Sequence, residues 1–283
     1  MNKKIEFYKM QGLGNDFVLM ENFDQNSNLY ESNFIRRICD RHFGIGADGV
    51  VFMEPSKNAD LRMRFFNADG SKAGMCGNAI RCLARYVYEK NICRKTEFIV
   101  ETKAGLKKLK LSLKEDKVDS IKVDMGEPGL QRKNIPMAGN EKDRVIEETI
   151  KISDKDMQVT CVSMDNPHTV IFGESFRDNE IEKVGQALQN HPLFPQKTNV
   201  EFATIKNKSE VDMLVWERGV GRTMACGTGA CAVTVAGVLT KRLARKVQVN
   251  LTGGKLQIEW LKTNNRVYMT GPATYVFRGE IEL

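Results

Sequence analysis

The sequence predicts an α/β (α+β) protein made of two pseudo-symmetric duplicated domains. A length of 283 residues is enough for two domains of about 140 residues, each with its own core. One order of strands and helices occurs twice along the chain, with a repeat of about 150 residues. Two similar motifs, M-C-G-N-A at 75–79 and A-C-G-T-G at 225–229, each follow a Gly-rich turn and begin a helix. These features together predict duplication.

The first half alternates short strands with two helices. An apolar stripe of Ile35, Ile38 and Cys39 predicts the first helix. His42 continues this stripe, and Gly44 provides a stop signal. The predicted strands are 4–9, 16–21, 49–54, 61–67, 96–102, 106–113 and 118–124, and the predicted helices are 28–43 and 77–90.

The second half repeats this order. The predicted strands are 145–151, 156–163, 168–173, 199–206 and 210–216, with further strands to the end, and the predicted helices are 178–190 and 228–241. The segment M-G-E-P-G interrupts the strands near 123–130 and marks a domain boundary. The strand that begins at Ala273 is expected to return to the first domain. The predicted domains are therefore 1–124 with 273–283, and 125–272.

Composition excludes several classes of protein. The net charge is +7, but the basic residues are scattered, and Leu and Lys alternate along 103–117 as in an amphipathic strand, so nucleic-acid binding is not expected. The longest uncharged run, between Arg222 and Lys241, is too short and too rich in Gly and Thr to span a membrane. We expect a cytoplasmic protein.

The seven cysteines are expected to be reduced thiols. Their number is odd, the start M-N-K-K-I-E-F has no apolar signal core, and no C-x-x-C pair is present. The three histidines are far apart in sequence, so no metal site is expected. Five of the cysteines are interpreted as small apolar packing residues: Cys39, Cys82, Cys93, Cys161 and Cys231.

The two remaining cysteines, Cys76 and Cys226, stand at helix N-termini. Unpaired N–H groups and the helix dipole favour a thiolate there, so the pKa of each thiol is expected to fall from its usual value of about 8.5. The glycine that follows lets backbone N–H groups approach a carboxylate. If the two domains face each other, the two sulfurs bracket one α-carbon in a cleft, and one removes a proton while the other delivers one. Which thiol begins ionised stays open.

Longer segments resemble the diaminopimelate epimerases over nearly the whole chain. They are K-M-Q-G-L-G-N-D-F, F-N-A-D-G-S-K-A-G-M-C-G-N-A-I-R-C, D-N-P-H, T-N-V-E-F and E-R-G-V-G-R-T-M-A-C-G-T-G-A-C-A. The resemblance implies conversion of LL-2,6-diaminopimelate to the meso form, on the route to lysine and peptidoglycan, without pyridoxal phosphate or metal. It also implies two domains, each a mostly antiparallel or mixed sheet or barrel wrapped around helices, with the active site in the cleft between them.

The resemblance also implies roles for particular residues. Cys76 and Cys226 correspond to the acid/base pair, and His168 and Glu217 to residues that tune the two thiols. The backbones of Gly77–Asn78 and Gly227–Thr228 would hold the reacting carboxylate. The positions that resemble the substrate-binding residues are Asn15, Asn67, Asn166, Asn199, Glu217 and Arg218.

Three positions depart from the family pattern. Gln11 stands where many members have His, and Gly49 where some have a substrate-contacting Gln. Asp165 replaces the usual Gly before N-P-H, at a position suited to positive φ, which Asp tolerates better than most residues. Its carboxylate would lie near the site and could alter substrate preference.

Three alternatives remain open at this stage. A sister racemase of the same fold would act on another amino acid. A nucleophilic enzyme would use Cys226 with His168 as base, which explains neither Cys76 nor the duplication. A non-catalytic two-lobed protein that binds amino acids would need no thiols at helix ends. The expected partner is a small-molecule substrate, and the expected assembly is a homodimer.

Overall fold

The computed structural model describes residues 4–152 and 155–282, so residues 1–3, 153–154 and 283 of the predicted domains lie outside the described residues. The chain divides into two compact units, Met1–Val123 with Thr270–Leu283, and Asp124–Met269. Each unit has strands, a long central helix and a shorter outer helix. The predicted α/β (α+β) class with duplicated domains is confirmed.

Unit 1 contains most of β8 and the last strand, β18. Its strands are β1 (Lys4–Gly12), β2 (Asn15–Glu21), β3 (Gly49–Glu54), β4 (Leu61–Asn67), β5 (Lys72–Ala73), β6 (Glu97–Thr102), β7 (Gly105–Lys114), β8 (Lys117–Gly126) and β18 (Thr274–Glu282). Its α-helices are α1 (Ser32–Cys39) and α2 (Gly77–Glu89), and a 3₁₀ turn covers Ser27–Tyr30. The last strand, β18, pairs antiparallel with β1.

Unit 2 repeats this set of elements. Its strands are β9 (Glu148–Ile152), β10 (Lys155–Ser163), β11 (Pro167–Phe172), β12 (Asn199–Asn207), β13 (Glu210–Glu217), β14 (Gly221–Arg222), β15 (Lys246–Leu251), β16 (Gly254–Trp260) and β17 (Val267–Gly271). Its α-helices are α3 (Asp178–Gln189) and α4 (Gly227–Leu239), and a 3₁₀ turn covers Arg132–Asn134.

Strand pairing follows the same order in both units. In unit 1, β1 pairs antiparallel with β2, β2 parallel with β3, β3 antiparallel with β4, β4 parallel with β6, and β6 antiparallel with β7. In unit 2 the same sequence of pairings joins β10, β11, β12, β13, β15 and β16. Two units with one mixed topology are the structural counterpart of the sequence repeat.

The sheet of each unit wraps around its central helix. Helix α4 packs against β10, β11, β12, β13, β15 and β16, and α2 packs against β1, β2, β3, β4 and β7. Most residues of both helices are buried, and α4 consists of small and apolar residues on all its faces, as expected for an enclosed helix. Gly237 lets Leu243 pack directly against the backbone of α4, since a Cβ at position 237 would lie 2.4 Å from Leu243 Cδ1.

Helix α1 is shorter than predicted. It ends at Cys39, because the Asp40 carboxylate accepts hydrogen bonds from the N–H groups of His42 and Phe43 at 2.7 and 2.8 Å and turns the chain out of the helix. Ile35 and Cys39 are buried as predicted. His42 is exposed, so its assignment to the apolar face was wrong.

The amphipathic segment at 103–117 is only partly regular. Leu109 and Leu111 are buried and Lys110 is exposed, as the alternation predicted. The pairing of β7 with β8 shifts between Ser112 and Leu113, and Leu113 is exposed. A bulge of this kind reverses the side-chain alternation beyond it. In the described ranges, no helix is long and apolar enough to cross a membrane.

Candidate active site

Both paired cysteines occupy the same structural position. Cys76 is the N-cap of α2 and Cys226 is the N-cap of α4, each with extended backbone angles. In each unit, a short strand, β5 or β14, lies between the preceding turn and the cysteine. Within each unit, a parallel strand pair is followed by an antiparallel pair, β2–β3–β4 in unit 1 and β11–β12–β13 in unit 2. The strand ends that carry the predicted asparagines of one unit therefore lie at one edge of its sheet.

The Cys76 half-site contains a small amide network. The Sγ atom of Cys76 lies 3.7 Å from Asn15 Oδ1, and Asn78 Nδ2 donates to the same oxygen at 3.1 Å. Asn15 Nδ2 donates to Asp48 at 2.7 Å. Arg81, in α2, is fully buried and donates to the Asn78 side chain at 2.9 Å. The structure therefore brings Asn15, Cys76 and Asn78 together.

Asn67 lies at the end of β4 and is bonded within its own turn. Its side chain donates to Ser71 Oγ at 2.9 Å, and it is exposed. Gly49, at the start of β3, is paired with Phe17 of the parallel strand β2 and with Asn67 of the antiparallel strand β4. A Cβ at position 49 would lie 2.6 Å from Phe65 Cε2, so an aromatic ring occupies the space of a side chain there. This explains the departure at Gly49.

The Cys226 half-site is more enclosed. Cys226 is only 6% exposed, and its sulfur accepts a hydrogen bond from the Gly229 N–H at 3.3 Å. Thr228 Oγ1 lies 3.4 Å from Cys226 Sγ, and Asn166 Nδ2 donates to this hydroxyl at 3.3 Å. Asp165, just before Asn166, has φ +67°, the positive value expected at this position. The structure brings together the predicted Asn166, Cys226 and Thr228.

The pKa of the Cys226 thiol is raised, so the expectation of a lowered value was wrong. Burial is the largest cause, and the charges of Glu217 and Glu201 act in the same direction. The Thr228 hydroxyl and the Gly229 N–H lower the pKa, as the position at a helix start predicts, but they are outweighed.

His168 is fully buried, and both of its ring nitrogens are hydrogen-bonded to oxygen atoms. Its Nδ1 lies 2.6 Å from Glu201 Oε1, and its Nε2 lies 2.9 Å from Asn166 Oδ1. A direct Cys226–His168 nucleophilic pair is therefore not formed. Glu201 was missed by the sequence analysis, although T-N-V-E-F was singled out. Because strand side chains alternate, Glu201 lies on the same face as Asn199, and this was the available signal.

Asn199, Glu217 and Arg218 lie together where β12 begins and β13 ends. Asn199 Oδ1 accepts a hydrogen bond from the Arg218 N–H at 2.9 Å. The side chain of Asn199 thus connects the start of β12 to the end of β13. The Thr223 hydroxyl donates to the Glu217 carboxylate. The Arg218 guanidinium is exposed and donates to the Gln196 carbonyl at 3.0 Å. Glu217 also acts on Cys226 through its charge.

Comparison with solved structures shows the fold. A hydroxyproline epimerase from Agrobacterium vitis superimposes with a TM-score of 0.73 at 14% identity, covering 100% of this chain and 94% of that one. A phenazine biosynthesis protein of the PhzF family from Bacillus anthracis gives a TM-score of 0.71 at 16% identity, covering 99% and 100%. At such identities, the likeness concerns the fold alone.

Sequence comparison identifies the family. The family model described as diaminopimelate epimerase matches residues 7–131 and 160–276. A diaminopimelate epimerase of Moorella thermoacetica is 52% identical over 279 residues, 99% of this chain and 100% of the relative. One from Methanococcus maripaludis is 49% identical over 280 residues, again 99% and 100%. The chain that carries these two cysteine-capped helices belongs to the diaminopimelate epimerase family.

Proposed function

We propose that the protein interconverts LL- and meso-2,6-diaminopimelate without a cofactor, in the synthesis of lysine and peptidoglycan precursors. The observation that carries the proposal is the repeated thiol. Each of the duplicated units has a cysteine at the N-cap of its central helix. Inversion at carbon needs an acid and a base on opposite faces, and two such thiols in one chain supply them.

In the proposed reaction, both thiols act on one α-carbon. The thiolate of one cysteine takes the α-proton, so that a C–H bond breaks and an S–H bond forms. The electron pair is delocalised into the substrate carboxylate, and the other thiol then delivers its proton to the opposite face. The N–H groups after Gly77 and Gly227 are suited to stabilise the enolate-like carboxylate, because helix N-termini present unpaired donors.

The raised pKa of Cys226 supports a starting assignment of the two thiols. Burial and the charge of Glu217 favour the neutral form of Cys226. In the direction that begins with Cys226 as the neutral thiol, Cys226 donates its proton and Cys76, as the thiolate, removes one. In the reverse direction, the two roles exchange.

Recognition of the whole substrate is assigned to amides and one guanidinium. Asn15, Asn67, Asn166 and Asn199 can read ammonium and carboxylate groups by hydrogen bonds, and the exposed Arg218 fork suits a carboxylate. A site built in this way strongly rejects an amino acid that lacks the second head group, because its own polar groups are left unpaired. A cytoplasmic location and a homodimer are further parts of this proposal.

The test is epimerisation in D2O. The metal-free and pyridoxal-free protein should incorporate deuterium at the α-carbon of LL-diaminopimelate as it forms the meso isomer. Cys76→Ala and Cys226→Ala should each lose activity by about 10³-fold or more, because a single base cannot complete inversion.

The matched control is Cys39→Ala. This cysteine is buried away from helix starts, and burial raises the pKa of its thiol to about 12, so it should not serve as a base. The variant should keep near wild-type turnover. Substantial turnover by either active-site variant would exclude the two-thiol mechanism, and equal turnover of lysine or alanine would assign another substrate.

A further inference from the structure

A buried acid–imidazole pair lies beneath the first turn of α4. Glu201 and His168 are both fully buried, and Glu201 Oε1 lies 2.6 Å from His168 Nδ1. Gly229 leaves room for the carboxylate, since a Cβ there would lie 2.8 Å from Glu201 Oε1. Glu201 Oε2 has no hydrogen-bond partner within the described residues. Among the described residues, the Glu201 carboxylate is thus hydrogen-bonded to the His168 imidazole.

The other unit has apolar residues at the corresponding places. In the parallel pair β2–β3, Phe17 is paired with Gly49, and in β11–β12, His168 is paired with Asn199. Val51 lies two residues after Gly49 on β3, and Glu201 lies two residues after Asn199 on β12, so Val51 is the counterpart of Glu201. Burying a charged pair is generally no more stabilising than apolar packing. The fold is therefore built without such a pair in unit 1, which points to a functional reason for it in unit 2.

Hydrogen bonds connect this pair to the Cys226 thiol. His168 Nε2 lies 2.9 Å from Asn166 Oδ1, and Asn166 Nδ2 lies 3.3 Å from Thr228 Oγ1. Thr228 Oγ1 in turn lies 3.4 Å from Cys226 Sγ. All five side chains belong to unit 2. A continuous chain of polar contacts thus runs from Glu201 to the sulfur.

The direction of these hydrogen bonds depends on one proton. When His168 Nε2 carries a proton, it donates to Asn166 Oδ1, and the Asn166 amide donates to Thr228. The Thr228 hydroxyl is then free to donate to Cys226, which favours a thiolate. When Nε2 has no proton, the Asn166 amide turns over and donates to it. Asn166 Oδ1 then accepts the hydroxyl proton, and Thr228 can accept from a Cys226 thiol.

We propose that Glu201 is a positioning residue that holds the proton on His168 Nδ1 and thereby couples the protonation of His168 Nε2 to that of Cys226. The inference rests on the proposed function, in which Cys226 alternates between thiol and thiolate. No proton travels through the amide. Asn166 and Thr228 transmit only the direction of hydrogen bonding, so the imidazole acts on the thiol without touching it.

Other titratable groups surround the chain of contacts. They are Cys161 on β10 and Glu217 on β13. The charge of Glu201 contributes to raising the pKa of both Cys161 and Cys226, and that of Glu217 also raises the pKa of Cys226. A proton on His168 offsets the charge of Glu201. This direct effect therefore has the same sign as the coupling through the hydrogen bonds.

The tautomer of His168 is the first test. In ¹⁵N NMR of the full chain, His168 should be protonated on Nδ1 near neutral pH. His191 is an internal reference, because its Nδ1 accepts the Leu193 N–H at 3.2 Å and so carries no proton. The chain has three histidines, and loss of one signal in His168→Gln assigns it. A His168 ring protonated on Nε2 alone would overturn the proposal.

A double-mutant cycle tests the coupling itself. The alkylation rate of Cys226 by iodoacetamide is measured by peptide mass spectrometry in Glu201→Gln, Thr228→Val and the double variant. The two substitutions should be coupled by about threefold or more, because they interrupt one chain of contacts. Additive effects would contradict the proposal. Thr228→Ser, which keeps the hydroxyl, should retain the effect of Glu201→Gln.

A second route is available if Glu201→Gln fails to fold. Alkylation of Cys226 should move the ¹⁵N signal of His168 Nε2 in Thr228→Ser and leave it unmoved in Thr228→Val, since coupling is reciprocal. Equal shifts in both variants would show that Thr228 is not the link. None of these measurements uses diaminopimelate. A negative result in the NMR or alkylation measurements therefore does not bear on the epimerisation assay. A negative epimerisation assay, in turn, does not change how the NMR and alkylation measurements are interpreted.

Discussion

At the scale of single residues, burial decides the chemistry of Cys226. Its position at a helix start predicts a lowered pKa, and the N–H of Gly229 does act in that direction. A helix N-terminus contributes about 0.3–1 kcal/mol, less than one pKa unit. Burial can shift a pKa by several units. The sequence predicts that the thiol stands at the start of a helix, but it does not reveal how deeply the thiol is buried. The larger effect, the rise in pKa caused by burial, could therefore not be predicted.

Asp16 gives a prediction at the same scale. Burial works against its charged form, yet hydrogen bonds from Arg41 and Lys9 outweigh burial and lower the pKa to about 2. Asp16→Asn should therefore lower the free energy of unfolding at pH 7 by about 1–2 kcal/mol, allowing for solvent screening at the exposed Arg41. Because the folded pKa is depressed, this stability is present above pH 4 and is lost as pH falls toward 2.

Urea unfolding at several pH values measures this difference. The gap between wild type and Asp16→Asn should be widest near neutral pH and should close in acid. Asp119→Asn, at an exposed position on β8, is the matched control and should change little at any pH. A gap that stays constant from neutral to acid pH would mean that packing, and not the carboxylate charge, is responsible.

At the scale of elements, the enclosed helices and the central strands could be predicted from periodicity. Helix α2 was predicted at 77–90 and lies at Gly77–Glu89. Strands β3 and β4 have the predicted limits. The error at α1 has a local cause, since one carboxylate at Asp40 competes for the N–H groups beyond the helix. The bulge in β7 depends on its partner strand, which the alternation of Leu and Lys does not reveal.

The candidate site could be predicted only in part. The two thiols were found because each stands in a repeated motif at a helix start. Glu201 and Arg81 lie within the quoted segments but were given no role, because each stands inside a regular element, where a charged residue ordinarily faces solvent. Both are fully buried, Glu201 against the first turn of α4 and Arg81 within α2. Their importance arises from tertiary packing and not from local pattern.

Gly49 gives a prediction for the start of β3. A Cβ at this position would lie 2.5 Å from the Phe66 carbonyl oxygen and 2.6 Å from Phe65 Cε2. Gly49→Ala should therefore destabilise the protein by about 1–3 kcal/mol through overpacking, measured by urea unfolding. Gly74→Ala is the matched control, because a Cβ there would first meet Ala104 at 3.7 Å. Equal stability of the two variants would contradict the packing argument.

At the scale of the whole molecule, duplication has preserved the backbone and changed the charges. The two units share their order of strand pairing and their cysteine-capped helices. Five residues after each cysteine, unit 1 has the buried Arg81 and unit 2 has the buried Cys231. Beneath α4 lies Glu201, whose counterpart is Val51. A buried cation near one thiol and a buried anion near the other make the surroundings of the two thiols chemically different, as the proposed acid and base would require.

The last prediction concerns whether both thiols come from one chain. Each half-site belongs to a different unit of the same polypeptide, and the proposed mechanism uses Cys76 and Cys226 on one α-carbon. Mixing Cys76→Ala with Cys226→Ala, including after joint unfolding and refolding, should therefore restore no epimerase activity, because each chain still lacks one thiol. If two chains shared a site, random dimers would regain up to about a quarter of wild-type activity, since half of them are mixed and each holds one intact site. The D2O assay distinguishes these outcomes directly, and wild type diluted with either variant calibrates it. Recovery of activity in the mixture would reassign the acid and the base to different chains.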